Sequence, residues 1–205
     1  MQTQNSELQH VRLEIDARLI SGFLKMIEQG FKLKVKTGLT IRELLCGQFG
    51  VSGEYFDNRI QTIFLDGKAV DNVDAAGIED NSRLALSAAM PGLVGATFRK
   101  GGRYAPLRGT ISYSKEKKSI VRGEGKITLK LFNMIAKELG PVFLRKGVII
   151  DGNAFQNFVW DNLEDLKAAC SSIHLNNAKI SVTRLKELKW ADREVFLQVI
   201  SEKSP

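Results

Sequence analysis

The fold is decided by residues 60–70, which read IQTIFLDGKAV. Apolar side chains occupy both alternating sets of this run, with Ile60 and Phe64 on one side and Ile63 and Leu65 on the other. A strand that is apolar on both sides has to be covered on both sides. The pattern therefore predicts an inner strand of a mixed sheet.

The segments around this strand have equally clear patterns. Asp66-Gly67 suits the positive φ angles of a tight hairpin turn, after which residues 68–70 begin the return strand. Residues 31–36, FKLKVK, alternate apolar residues with lysines and predict a strand whose lysine row is either a solvated sheet face or a charged, protected edge. Thr40 and Glu43 have the spacing of a capping box, which predicts the start of a helix.

The rest of the chain is predicted from its periodicity. Strands are expected at residues 11–15, 83–88 and 143–150, helices at 19–27, 131–139 and from 153 to about 173, and connections at 51–58 and 71–82. Gly140-Pro141 is expected to end the helix at 131–139. Residues 196–200 fit either a helix or a strand, and both assignments stay open.

Three motifs together carry a resemblance to a known family. They are TIRELL at 40–45, IFLDGKAV at 63–70 and IEDNSRLAL at 78–86. In this order they resemble the ubiquitin-like β-grasp fold. They are most similar to its sulfur-carrier families, the small subunit of molybdopterin synthase and the carrier of the thiamine pathway. The resemblance covers about residues 11–91 and implies a β-grasp domain there.

Sulfur carriers of these families end in a free Gly-Gly, whose carboxyl group is adenylated and thiolated. This chain ends in SEKSP, and its Gly-Gly pair is Gly101-Gly102. The carrier activity that the resemblance implies would therefore require cleavage after Gly102.

Together, the patterns and the resemblance predict an α+β protein with four parts. We expect a disordered start at residues 1–10, an N-terminal ubiquitin-like β-grasp domain at 11–91, a basic Gly-rich connecting segment at 92–126 and a smaller α/β domain at 127–205.

Positive charge is concentrated in the middle of the chain. The 205 residues include 30 Lys and Arg against 23 Asp and Glu, a formal net charge of +7. Residues 97–146 hold 13 basic and 3 acidic residues, net +10, whereas residues 1–96 carry −2 and residues 147–205 carry −1. Such an asymmetry indicates an acidic partner.

The candidate binding site lies in the glycine-rich part of this basic region. Glycines let backbone N–H groups approach an anion, and the aromatic rings between the cations can stack on a base. The predicted anion-binding residues are Arg99, Lys100, Gly101, Gly102, Arg103 and Arg108, and the possible stacking residues are Phe98 and Tyr104. The alternative is a solvated linker whose charges keep it soluble.

The sequence has no recognisable catalytic constellation. His10 is expected in the disordered start and His174 at a helix end, so no pair of histidines is spaced for a metal. Cys46 and Cys170 are expected to be separate buried thiols. The Gly-rich segments match neither a P-loop nor a dinucleotide fingerprint. No cofactor and no metal site are therefore expected.

No apolar run approaches the roughly 20 residues of a membrane helix, so we expect a soluble cytoplasmic protein without a membrane partner. The preferred hypothesis is a non-catalytic protein that binds an acidic partner, protein or nucleic acid, through its basic surface. One alternative is an enzyme or enzyme subunit that binds an anionic metabolite between the domains, with Arg99, Lys100 and Arg103 as its clamp. The third hypothesis is a processed sulfur carrier. The sequence gives no indication of the oligomeric state.

Overall fold

The computed structural model describes residues 8–113 and 122–202. It is a mixed α/β structure whose contacts divide the chain into two compact units. The central unit is Lys32–Glu138, and the terminal unit combines Met1–Phe31 with Leu139–Pro205. This division differs from the expected boundaries, because the strand predicted at residues 11–15 pairs with strands from the carboxy-terminal part of the chain.

Strands and helices are distributed along the whole described part of the chain. The strands are β1 (Gln9–Asp16), β2 (Phe31–Thr37), β3 (Thr62–Leu65), β4 (Lys68–Ala69), β5 (Arg83–Ser87), β6 (Gly123–Leu131), β7 (Val148–Asp151), β8 (Cys170–Leu175), β9 (Ala178–Lys179) and β10 (Glu194–Glu202). The α-helices are α1 (Ile20–Ile27), α2 (Gly53–Arg59), α3 (Gly92–Phe98), α4 (Asn133–Lys146), α5 (Gly152–Asp161), α6 (Leu163–Ala169) and α7 (Val182–Glu187). Ala17–Leu19 and Ala105–Ile111 are 3₁₀-helices, and Glu43–Gln48 is a π-helix. None of the helices within the described residues has the length and apolar character needed to cross a membrane.

In the terminal unit, five strands lie in the order β7-β10-β1-β8-β9. β1 is parallel to β10 and antiparallel to β8, and β10 is antiparallel to β7. Val11, Leu13 and Ile15 of β1 are each at most 1% exposed. Helix α6 packs on β1 and helix α5 packs on β10. One face of this sheet therefore forms the core of the unit with the helices.

Aromatic side chains contribute much of this core. The ring centroids of Phe23 and Phe158 are 4.4 Å apart, and Phe155 meets Trp190 edge to face at 5.0 Å. Trp190 is buried, and its indole Nε1 donates a hydrogen bond to the carbonyl oxygen of Leu185 at 3.0 Å. The polar atom of the ring is thus satisfied inside an otherwise apolar layer.

The prediction that Gly140-Pro141 ends a helix is wrong, because α4 runs through both residues to Lys146. At Gly140 the helix approaches α1 so closely that a Cβ would lie 2.4 Å from Leu24 Cδ2. Tertiary packing thus holds the helix beyond the residue at which local propensity would end it. The strand expected at residues 143–150 is correspondingly shorter, since it begins only at Val148.

The long helix expected from residue 153 to about 173 is also wrong, because α5 and α6 are followed by a strand, β8. Asp151 caps α5, and its side chain accepts a hydrogen bond from the Ala154 N–H at 3.1 Å. Residues 170–175 form β8, in which Ile173 pairs with Leu13 of β1 and is 2% exposed. The spacing of the apolar residues fits both the period of a helix and the period of a strand. The pairing with β1 determines that residues 170–175 form a strand.

In the central unit, five strands lie in the order β4-β3-β5-β6-β2. β3 is antiparallel to both of its neighbours, which confirms the inner strand predicted within residues 60–70. Asp66 and Gly67 have φ angles of 51° and 79° in the turn to β4, as predicted. β5 and β6 are parallel. Phe64 of β3 is covered by Phe98 of α3, with ring centroids 5.2 Å apart.

The capping box is confirmed in atomic detail. The N–H of Glu43 donates to Thr40 Oγ1 at 3.2 Å, and the N–H of Thr40 donates to Glu43 Oε2 at 2.8 Å. The connection expected at residues 51–58 is wrong, since this stretch contains α2. Ser52 caps α2 by accepting a hydrogen bond from the Tyr55 N–H at 3.2 Å.

Two segments expected to lack structure contain regular elements. The expected connecting segment, residues 92–126, contains α3, a 3₁₀-helix and the start of β6, while its residues 114–121 lie outside the described ones. The expected disordered start overlaps β1 at residues 9 and 10, and residues 1–7 lie outside the described ones. The strand alternative for residues 196–200 is confirmed, because they belong to β10.

Gly152 is a position of the terminal unit at which the backbone leaves no room for a side chain. A Cβ there would lie 1.9 Å from the Trp190 carbonyl oxygen and 2.8 Å from that of Arg193. We expect Gly152→Ala to lower the free energy of unfolding by about 3 kcal/mol, because the backbone has to move. Gly53→Ala is the control, since nothing lies within 4 Å of its added Cβ. Urea unfolding of both variants measures the difference, and equal stabilities would contradict the close approach at Gly152.

Candidate functional site

The predicted anion-binding segment already binds a carboxylate of its own chain. Asp71 Oδ1 accepts hydrogen bonds from the Gly101 N–H at 2.9 Å and from Arg108 Nη2 at 2.6 Å. The Arg108 side chain is 1% exposed, and its Nε donates to the Ala105 carbonyl oxygen at 3.3 Å. The guanidinium is therefore paired with Asp71 and shielded from solvent inside the central unit, with its Nη1 left without a hydrogen-bond partner.

Two more of the predicted residues are engaged in packing. The Lys100 ammonium lies 4.6 Å from the centre of the Phe56 ring, and it donates to the Phe56 carbonyl oxygen at 3.4 Å. Burial lowers the pKa of Lys100. Phe98, a predicted stacking residue, uses its ring to cover Phe64.

The other predicted residues lie at or near the surface. Arg99 and Arg103 are exposed, and Tyr104 is 42% exposed. The Gly102 N–H donates to the Arg99 carbonyl oxygen at 3.0 Å, in the turn that leads to the 3₁₀-helix. The structure thus brings Gly101 and Arg108 together on Asp71, while Arg99, Arg103 and Tyr104 remain accessible.

A polar cavity lies on the terminal-unit sheet, on the face opposite the buried residues of β1. Its volume is about 290 Å³, and we call it the sheet-face groove. Its lining includes His10, Arg12 and Glu14 from β1, His174 from β8, and Phe196 and Gln198 from β10. Successive side chains of a strand point to opposite faces, so burial of the apolar set turns this polar set outward.

Two aromatic rings lie side by side in this groove. His10 and Phe196 are register partners on parallel strands, with ring centroids 4.8 Å apart and planes inclined by 37°. His10 is exposed and Phe196 is half-buried. A Cβ on Gly147 would lie 2.1 Å from Phe196 Cζ, so the glycine leaves the space that this ring fills. We call His10 and Phe196 the aromatic pair.

A row of basic and amide side chains runs beside the aromatic pair. Its members, which we call the basic row, are register partners across four strands: Lys179 of β9, His174 of β8, Arg12 of β1 and Gln198 of β10. Gln198 Nε2 donates to the Arg145 carbonyl oxygen at 2.9 Å, which fixes the amide. His174 Nδ1 is buried and has no hydrogen-bond partner in the structure.

Glu14 holds the guanidinium of the basic row in place. Arg12 Nη2 lies 2.7 Å from Glu14 Oε1, and Ser172 Oγ donates to Glu14 Oε2 at 2.8 Å. The hydroxyl of Ser172 and the guanidinium of Arg12 lower the pKa of Glu14. The Arg12 side chain is still 49% exposed, so the pairing orients the guanidinium without removing it from solvent.

This groove is not predicted by the sequence. The assignments of His10 to a disordered start and of His174 to a helix end are wrong, because both lie in strands that pair with one another. The alternation of polar and apolar residues in β1 was the available signal, but it does not reveal which strands lie beside it.

Within the described residues, no group of three His, Cys, Asp or Glu residues is placed to hold a metal ion. Cys46 and Cys170 are half-buried free thiols, and burial raises the pKa of each.

The ion pair of Asp71 with Arg108 can be tested by removing either partner. We expect Asp71→Asn to lower the free energy of unfolding by about 3 kcal/mol, because it leaves a buried guanidinium uncompensated. Arg108→Met should lower the free energy of unfolding by less, since it removes the charge and keeps a side chain of similar shape. Arg103→Met, at an exposed site, should stay within about 0.5 kcal/mol of wild type. Guanidinium unfolding gives all three values, and a wild-type stability for Asp71→Asn would refute this role of the pair.

The lowered pKa of Glu14 predicts a specific loss of stability in acid. The unfolded carboxyl titrates near pH ~4.3, above its folded value, so ionised Glu14 stabilises the fold above that pH. This contribution is lost as the pH falls through the folded pKa. We expect Glu14→Gln to lose less stability than wild type between about pH 5 and pH 3, with Ser172→Ala intermediate. Thermal melts across this range make the comparison, and parallel pH profiles for wild type and Glu14→Gln would exclude the effect.

Models of protein families, curated protein sequences and solved structures were all compared with the chain, and none of them matches.

Proposed function

We propose that the chain binds single-stranded nucleic acid on the sheet-face groove of the terminal unit. The observation that carries this proposal is the aromatic pair, two rings in contact on neighbouring strands beside the basic row. The sequence left two kinds of acidic partner open, a protein or a nucleic acid. The groove favours nucleic acid, because its rings lie beside basic side chains and a nucleotide joins a flat base to a negative phosphate.

The aromatic pair suits the base. His10 is exposed and Phe196 is only half-buried, so the rings are available at the surface of the sheet. Exposed rings on a sheet are a common platform for single-stranded bases, and each stacked base contributes about 1 to 3 kcal/mol. The register that joins the two strands also sets the rings side by side, so little ordering is needed when a base binds.

The basic row suits the phosphate of the same nucleotide. It lies two residues along β1 from the aromatic pair, a separation of about 7 Å. Arg12 is half-exposed and Lys179 is exposed, so both charges can meet a phosphate from solvent.

An anionic metabolite is the second candidate for this groove, in place of the inter-domain cleft expected from the sequence. The volume of about 290 Å³ supports it, since it is near the lower end of the range for small-molecule sites. A mononucleotide that binds as tightly as an oligonucleotide would favour this candidate over the first.

We also propose that the central unit is a permuted relative of the β-grasp fold. Its support is the strand order, in which the parallel neighbours β5 and β6 are flanked by the β3-β4 hairpin on one side and β2 on the other. β6 would then take the place expected for residues 11–15.

A sulfur-carrier role would still require cleavage after Gly102, which lies in a hydrogen-bonded turn. The two free thiols support the proposed cytoplasmic location.

The nucleic-acid proposal predicts distinct effects for the two parts of the groove. We expect His10→Ala and Phe196→Ala each to weaken binding of a fluorescein-labelled oligouridylate of about 12 nucleotides by roughly 5- to 150-fold, through lost stacking. Arg12→Ala should reduce the slope of log affinity against log salt by about 0.7, since one phosphate contact is lost. The Glu14→Gln variant should bind the oligonucleotide more tightly, because it lacks the carboxylate that competes with a phosphate for Arg12. Fluorescence anisotropy at several salt concentrations measures these effects.

Lys186→Ala is the matched control for this titration. It removes one exposed positive charge from α7 of the same unit, and it should change affinity far less than Arg12→Ala. The proposal fails if the wild-type chain shows no salt-sensitive binding. It also fails if Phe196→Ala binds like wild type.

A further inference from the structure

The central unit has an exposed apolar surface on α3 and the following 3₁₀-helix. Of the nine large apolar side chains that are exposed in the described residues, five lie here. We call them the docking surface: Leu93 and Val94 of α3, Tyr104 directly before the 3₁₀-helix, and Leu107 and Ile111 within it. Leu107, Val94 and Leu93 are 71%, 70% and 68% exposed. The two helices pack against each other, so these side chains belong to one region.

The backbone that carries the docking surface is anchored to the unit from beneath. Phe98, the last residue of α3, packs on Phe64 of β3 with ring centroids 5.2 Å apart. Gly101 and Arg108 both bind Asp71. The exposed apolar side chains therefore project from a fixed backbone, and a fixed backbone lowers the entropy that a partner has to overcome.

The charge of this region indicates the chemistry of the partner. Residues 81–115 contain no Asp or Glu, and the Asp71 carboxylate that reaches this region is paired with Arg108. Arg99 and Arg103, in the turn between α3 and the 3₁₀-helix, are both exposed. A complementary surface therefore carries apolar groups together with carboxylates.

We propose that the docking surface binds an acidic amphipathic segment of another protein. Aliphatic side chains predominate here, and they suit the apolar stripe of a helix better than the faces of bases. A symmetric contact with a second copy of the chain would bring like charges of Arg99 and Arg103 together. The docking surface shares no residue with the sheet-face groove.

The test uses the full chain and a designed helical peptide. The labelled probe, of about 18 residues, carries Leu on one face and Glu on the other, and the comparison peptide has Lys in place of every Glu. We expect the acidic peptide to bind in a salt-sensitive manner and the Lys peptide not to bind. Val94→Ser with Leu107→Ser should weaken binding about tenfold or more. Arg99→Glu with Arg103→Glu should abolish binding of the acidic peptide.

Two control variants test whether losing any exposed apolar side chain, or reversing any exposed charge, changes peptide binding. Trp160→Ser removes an apolar side chain that is 49% exposed on α5, and Lys186→Glu reverses an exposed charge on α7. Both should bind the acidic peptide like wild type. Unchanged melting temperatures of all variants would show that the substitutions at exposed sites leave the fold intact.

Four outcomes would overturn the proposal. The first is no binding of the acidic peptide by wild type, and the second is binding that the Val94 and Leu107 substitutions leave unchanged. The third is dimerisation of wild type in sedimentation that the same substitutions abolish, which would make the surface an interface between copies. The fourth is binding to phosphatidylserine vesicles, without binding of the acidic peptide, that depends on the same residues.

Discussion

The parallel pairing of β1 with β10 is the interaction on which the terminal unit depends. The register runs without a break from Gln9 with Val195 to Asp16 with Glu202. It places the apolar set of β1 in the core and the polar set on the opposite face. A slip by one residue would exchange the two sets. The free energy gained by burying the apolar set therefore also determines where the aromatic pair and the basic row lie.

Charge along the chain and charge at the surface are different quantities in this protein. Residues 97–146 carry a net charge of +10, yet Arg108 is neutralised by Asp71, which lies outside that range, and Lys100 packs on Phe56. Arg12 lies in a part of the sequence with a net charge of −2, and Glu14 holds it at the surface. The pairing of each cation, rather than the local composition, decides which charges a ligand can meet.

Features of the fold that depend on neighbouring residues could be predicted from the sequence. The capping box of Thr40 with Glu43 and the turn at Asp66-Gly67 are both local, and both are confirmed. Features set by distant contacts could not be predicted. The helix α4 continues through Pro141, and residues 170–175 form a strand, because each packs on a segment far away in sequence.

The same distinction explains the outcome for the candidate sites. Local composition predicts Arg99, Arg103 and Tyr104, and these residues are accessible in the structure. The groove was missed because its parts come together only through pairing across long sequence distances. The hydrogen bond from the backbone N–H of His10 to the Asn176 side chain, for example, spans 166 residues. No spacing rule for short motifs detects such a site.

Photocrosslinking reports which residues a bound base touches, so it tests whether nucleic acid binds at the sheet-face groove. An oligonucleotide that contains 4-thiouridine is irradiated with the full chain, and the attached peptides are identified by mass spectrometry. We expect crosslinks in β1 and β10, centred on His10 and Phe196. Crosslinks confined to residues 98–108, or to the helices on the opposite face of the sheet, would contradict it.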